Sequence, residues 1–259
     1  MKLVVLSVFG CRCRRSTFNR LASTRPATPS HATRLLEKTY LNTYVVAAPD
    51  SFIESIPHYY SRNPWLDQPI HVEVMTEKDA MSTTLQPVIQ RWNVPFTVFR
   101  GNPSDTICYN VGKLLRGPID KEDPEEPGSL DKPVVILNLG DHDPSGLNIS
   151  RVARRKIEKF ARRSIEWRRV ALNSTQFDRM QDQFGIPVKG TDKLAPEYIA
   201  GYGNRCVEVD AMPSDEVRDL LDKAIIKRID MEKWKQTEAI EKREQEQLER
   251  LLDKFKDGS

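Results

Sequence analysis

From residue 51 onward, short runs of apolar, β-branched residues alternate with longer stretches in which apolar positions recur every three or four residues. IHVEVM at 70–75, FTVF at 96–99 and VVILNL at 134–139 have the length and composition of strands. Residues 77–92, 104–115, 147–165, 174–183 and 214–229 carry the spacing of amphipathic helices. Shorter apolar pieces at 170–172 and 207–209 predict further strands, 51–61 reads as helix despite Pro57, and 63–69 is a proline-bounded connector. Strands separated by helices imply βαβ crossovers, and hence an α/β domain whose mainly parallel sheet has helices on both faces.

The pattern breaks twice. GPIDKEDPEEPGSLDK, 117–132, has prolines and acids in place of any period and reads as a surface loop. Residues 231–256 form a highly charged helix with Leu248, Leu251, Leu252 and Phe255 late in it. This is a solvated or docking helix rather than a dimer seam, because sustained heptads are missing. Three parts follow: an N-terminal extension (1–50), an α/β domain (51–230) and a charged C-terminal helix (231–259).

With 259 residues, 39% hydrophobic and 30% charged, the chain can bury a real core. A net charge of only +3 means that any affinity for nucleic acid must come from a local patch. The four cysteines, Cys11, Cys13, Cys108 and Cys206, include no CxxC pair and read as reduced thiols. No apolar run approaches the roughly 18 to 20 residues of a membrane span. No acid precedes Glu37, and Arg12, Arg14, Arg15, Arg20, Arg25 and Arg34 are interspersed with serines and threonines, a composition similar to organelle transit peptides. The expectation is a cytoplasmic, nucleoid-associated protein, with organelle import through this segment as the alternative.

Chemistry concentrates in VVILNLGDHDPSG, residues 134–146. Side chains two apart on a strand point the same way, so Asp141 and Asp143 converge if the strand runs that far. Paired carboxylates at a strand end suit Mg²⁺, with Mn²⁺ as a substitute, because hard cations take oxygen ligands and complete their shell with phosphate. Asp143 before Pro-Ser-Gly is equally an ordinary helix N-cap. Ligands of open parallel sheets gather beyond the carboxyl ends of strands. There the first strand delivers Glu77 and Lys78, the second Arg100 and Ser104, and the third Asp141, His142 and Asp143. Glu77 could join the aspartates around a metal or act as general acid or base, with Lys78 or Arg100 neutralising developing charge. The ordinary structural reading makes Thr76-x-x-Asp79 a capping-box variant. His142 faces away from the aspartates and either contacts substrate or packs. Glu208 and Asp210 form a second alternating pair that serves either the site or a turn, and Lys189, Thr191 and Asp192 lie in a phosphate-binding or plain surface loop. Arg151, Arg155, Lys159 and Arg162 fall on one helix face at i, i+4, i+8 and i+11, where they can follow a phosphate backbone or merely meet solvent.

A glutamate after one strand and a DxD after a later one, within a βα alternation, resembles the toprim domain of topoisomerases, primases and related nucleases. The DHDPSG form with VEVMTEKDA upstream is especially similar to the branch holding the A subunit of type VI topoisomerases and the meiotic double-strand-break proteins. It is more similar still to uncharacterised microbial and phage-borne toprim-like proteins, through NPWLDQPIHVEVMTEKDA, RGNPS, LGDHDPSG, VALNSTQ and CVEVDAMP. The resemblance spans about residues 51–211. It implies a toprim-like (Rossmann-like) α/β fold, Glu77 as acid/base residue and Asp141 and Asp143 as Mg²⁺ ligands. In type VI topoisomerases the attacking tyrosine lies in a separate winged-helix domain, whereas residues 1–50 show no such pattern. Tyr59 and Tyr60 are therefore read as packing residues of the 51–61 helix. The expected function is Mg²⁺-dependent phosphoryl transfer on nucleic acid, DNA ahead of RNA, most simply phosphodiester cleavage. The alternatives are a non-catalytic nucleic-acid-binding subunit whose protein partner supplies a tyrosine or DNA-binding domain, and a phosphotransferase acting on nucleotides or other small molecules. A homodimer is left open.

Overall fold

The computed structural model of the chain describes residues 49–117 and 130–257. Most of the N-terminal extension, with Cys11 and Cys13, and most of the 117–132 loop lie outside the described residues. Four strands, β1 (His71–Thr76), β2 (Phe96–Val98), β3 (Val134–Leu139) and β4 (Glu166–Ala171), form a parallel sheet in the order β2-β1-β3-β4. The helices are α1 (Pro49–Tyr59), α2 (Met81–Arg91), α3 (Asp105–Leu114), α4 (Pro144–Ala161), α5 (Ser174–Phe184), α6 (Ala195–Tyr202), α7 (Ser214–Ile226) and α8 (Met231–Asp257). Two short antiparallel strands, β5 (Ile186–Pro187) and β6 (Arg205–Cys206), complete the elements, with one 3₁₀ turn at Val209–Ala211.

All six residues of β3 are buried, as a central strand covered on both faces requires. Alternation splits the core. Val72, Val74, Val135, Leu137 and Leu139 pack on Leu85 and Val88 of α2, Phe177 of α5 and Leu221 and Ile225 of α7. Met75, Val134 and Ile136 point the other way, onto Cys108 and Val111 of α3 and Ala153, Ile157 and Ala161 of α4. The helix between β1 and β2 thus lies on one face, and those between β2 and β3 and between β3 and β4 on the other. Since the first crossover runs in the opposite direction along the sheet, this is the arrangement that right-handed connections produce. The expected α/β sheet with helices on both faces is present.

Several boundaries differ from the sequence reading. The second helix starts at Met81 rather than at 77, which leaves Glu77, Lys78 and Asp79 in a loop. Helix α4 stops at Ala161 because Arg162 turns left-handed at φ 54°, and β4 already begins at Glu166. Charged Glu166, Arg168 and Arg169 hide this edge strand, and charge at an edge is a usual guard against further strand pairing. Val207 forms only an isolated bridge with His142 rather than part of a regular strand.

Arg62–Ile240 is one compact unit and holds the whole sheet. Within it the start of α8 docks: Trp234 is buried and meets Trp65 and Trp92 edge-on, with ring centroids 5.7 and 5.4 Å away. Of the late apolar residues, Leu251 and Phe255 are exposed and Leu248 and Leu252 half-buried. The described residues 49–61 and 241–257 belong to the second unit. There the Tyr60 hydroxyl donates to Glu244 Oε2 at 2.6 Å, and Gln245 Nε2 donates to the Tyr60 carbonyl at 2.9 Å, while Tyr59 is exposed. Among the described residues, no helix is long and apolar enough to cross a membrane.

Candidate active site

In the order β2-β1-β3-β4 the chain leaves β1 toward one edge and leaves β3 toward the other, so the crevice between their carboxyl ends is the topological switch point of the sheet. Glu77 follows β1 and Asp141 follows β3 at this place. The Asp141 amide donates to Glu77 Oε1 at 3.1 Å, while Glu77 Oε2 is buried without a hydrogen-bond partner. Burial pushes the Glu77 carboxyl up to about 7; the bond from the Asp141 amide works against this, and the nearby charges of Asp141 and Asp143 add to it. Glu77 therefore exchanges a proton near neutral pH.

Strand β3 ends at Leu139, two residues before Asp141 and four before Asp143, so strand alternation does not carry the two to one point. Asp141 turns inward, where Oδ1 accepts from the Val209 amide at 2.7 Å and Oδ2 lies 3.1 Å from Lys78 Nζ. Burial raises its carboxyl above the ordinary range, against the pull of that amide and of Lys78. Asp143 is the N-cap of α4, with Oδ1 accepting from the Gly146 amide at 2.6 Å, so the ordinary capping role is real. Gly146 is what lets this helix start come so close. A Cβ there would stand 2.6 Å from the Asp141 carbonyl and 2.9 Å from Glu77 Oε1.

Lys78 Nζ also reaches Glu208 Oε2 at 3.2 Å and Asp210 Oδ2 at 2.9 Å, which brings the second carboxylate pair to the same rim. Burial disfavours its charge, but these bonds and Asp141 outweigh burial and hold the ammonium protonated well above its usual range. Among the described residues, no group of three or more His, Cys, Asp or Glu side chains is spaced to hold a metal ion. Three carboxylate oxygens meet on the Lys78 ammonium instead.

The other residues singled out in the sequence are placed as follows. Arg100, at φ 54°, pairs with Asp79 at 2.9 Å. Asp79 caps no helix, since the N-cap of α2 is Ala80. Ser104 is the N-cap of α3, accepting from the Ile107 amide at 3.2 Å. His142 packs: it is buried, stacks on Phe177 with centroids 4.1 Å apart, and places Nδ1 2.9 Å from the Tyr198 hydroxyl. Burial, helped by the Arg169 charge, pushes its imidazole down to about 4, so it is neutral at neutral pH. Asp192 accepts from Ser145 Oγ at 2.9 Å, which sets the 189–192 loop beside the start of α4. Arg151, Arg155 and Lys159 are exposed on α4, whereas Arg162 lies past the helix end and leaves the stripe.

Sequence reasoning missed Arg169. Its Nη2 donates to the Gly140 carbonyl at 2.9 Å and to the Asp141 carbonyl, and its Nε donates to the Leu172 carbonyl at 2.6 Å. Burial lowers its pKa, while the charges of Glu77, Asp141 and Asp143 oppose that shift. The sequence reading ended its helix at 165 and began its strand at 170, so Arg169 fell in the unassigned stretch between them, which is the first part of β4. No family model, curated protein or solved structure matches the chain.

Proposed function

We propose that the chain is a toprim-like, Mg²⁺-dependent phosphoryl-transfer enzyme acting on nucleic acid, most simply by phosphodiester cleavage, with DNA ahead of RNA and the cytoplasmic nucleoid as the place of action. The observation that carries this reading is the buried, unpartnered Oε2 of Glu77 at the switch point, beside Asp141 and Asp143. An orphaned buried carboxylate oxygen is costly unless something pairs with it, and carboxylate oxygens are the hard donors that a divalent cation takes. Glu77, Asp141 and Asp143 would hold it; when bound, it neutralises charge on phosphoryl oxygens. If the aspartates hold the cation without it, Glu77 instead holds or releases a proton at Oε2, a role matched to a carboxyl near 7. Lys78 supplies fixed positive charge at the rim, and the start of α4 favours anions through its amides and the macrodipole. Exposed Arg151, Arg155 and Lys159 continue positive charge along α4 for a phosphate backbone.

One observation favours a second reading, a nucleic-acid-binding subunit without turnover: the Lys78 ammonium already occupies the meeting point of Asp141, Glu208 and Asp210. Purified protein incubated with supercoiled DNA, linear DNA and RNA, with Mg²⁺, Mn²⁺ or a chelator, separates the two. The proposal expects cation-dependent cleavage that falls by about a hundredfold or more in Glu77→Gln and Asp141→Asn. Binding without cleavage selects the second reading, and full activity in Asp141→Asn overturns the site.

A further inference from the structure

The guanidinium of Arg169 lies under the turn that joins β3 to α4, where it donates to the carbonyls of Gly140, Asp141 and Leu172. The Gly140 carbonyl already accepts from the Leu172 amide at 2.9 Å, and the Gly140 amide donates to the Ala171 carbonyl at 2.7 Å, so the ladder between these segments is complete without a side chain. The bonds to the Asp141 and Leu172 carbonyls satisfy backbone groups in the ordinary way, while the bond to the Gly140 carbonyl is additional to the ladder. Its geometry has another consequence. In a planar trans peptide the C=O and N–H point in opposite directions. Holding the Gly140 oxygen toward Arg169 Nη2 at 2.9 Å therefore aims the N–H of the same peptide, that of Asp141, at Glu77 Oε1, which it reaches at 3.1 Å. Gly140 stands between the two: a Cβ built on it would be 3.4 Å from Glu77 Oε1 and 3.8 Å from Arg169 Nη2.

We infer that Arg169 is a positioning residue, which clamps the Gly140–Asp141 peptide and through it fixes the orientation of Glu77 while its charge offsets the three surrounding carboxylates. This rests on the function proposed above, in which Glu77 must present one oxygen to a cation or a proton. Groups that orient metal ligands from behind commonly change metal affinity ten- to a hundredfold when removed. Arg169→Lys keeps the charge and loses the planar fork; Arg169→Gln keeps a planar donor and loses the charge.

The test is a double-mutant cycle on the full chain, with Mn²⁺ as the probe cation, combined with amide hydrogen exchange in metal-free protein. Arg169→Lys is expected to weaken Mn²⁺ binding about tenfold in the wild-type background and less than about twofold in the Glu77→Gln background, because the arginine acts through that glutamate. In metal-free protein, Arg169→Lys is expected to speed exchange at Asp141 by about tenfold, in keeping with a lost local hydrogen bond, and to leave Val74 inside the sheet protected. Equal losses of Mn²⁺ affinity in both backgrounds, or unchanged exchange at Asp141, would overturn the inference. So would the failure of both Arg169 variants to fold, which would make the residue purely structural. If the wild type takes no Mn²⁺, the proposed function fails, and Asp141 exchange still decides the role of Arg169.

Discussion

Glu77 combines a buried carboxyl, one oxygen held by an amide and one without a partner. Its pKa of about 7 in the fold against 4.5 ordinarily means that the folded chain binds the proton more tightly than the unfolded one. The resulting stability is fully present below about pH 4.5 and is lost as pH rises through about 7. Discounted for the part of the side chain that faces solvent, the effect is on the order of 2 kcal/mol. In chelator, the melting temperature of Glu77→Gln relative to wild type should therefore climb by about 4 to 8 °C between pH 4.5 and 8. A flat difference would show that the carboxyl is not perturbed. Asp143 gives a second test, since it caps α4. Asp143→Ala should lower stability in chelator by about 1 kcal/mol, whereas Asp143→Asn, an equally good cap, should not. Thermal melts of the two variants settle this.

At the scale of elements, the start of α4 is the tightest part of the site. Gly146→Ala would set a Cβ against the Asp141 carbonyl and the Glu77 carboxylate and should destabilise by about 1 to 3 kcal/mol. Gly201→Ala in α6, where a Cβ meets nothing within 4 Å, should be neutral or stabilising, which makes it the control in the same denaturation series. Along the exposed face of α4, replacing Arg151, Arg155 and Lys159 with glutamine should weaken DNA binding and reduce its log–log salt slope by about 0.9 per lost phosphate contact. An unchanged slope would return the stripe to a solvated helix face. Much of this was legible in the sequence. The buried run of β3 and its Asp-Pro-Ser-Gly exit define strand, cap and helix start by composition alone. Only the end of β4, at 170–171, was legible, because Glu166, Arg168 and Arg169 carry no apolar alternation and only pairing with β3 makes them a strand. Arg169 was lost with the rest. The meeting of Lys78 with Glu208 and Asp210 was equally hidden, since it depends on a contact across 130 and 132 residues of chain.

Over the whole Arg62–Ile240 unit, topology does what no single motif can. Strand order β2-β1-β3-β4 puts the residues after β1 and β3 side by side, and these are the residues the sequence marks as chemical. Net charge is close to balanced at +3, so the proposed recognition of a polyanion would depend on a local patch such as the α4 face, not on the overall field. In the function proposed above, Glu77, Asp141 and Asp143 would together hold a divalent cation at this junction. Thermal melting with and without Mg²⁺, on wild type, Asp141→Asn and Asp143→Asn, tests it most directly. Mg²⁺ at about ten times its Kd should stabilise the wild type by roughly 1.4 kcal/mol and each variant much less. Equal Mg²⁺-induced shifts in all three proteins, or no shift in the wild type, would contradict the claim.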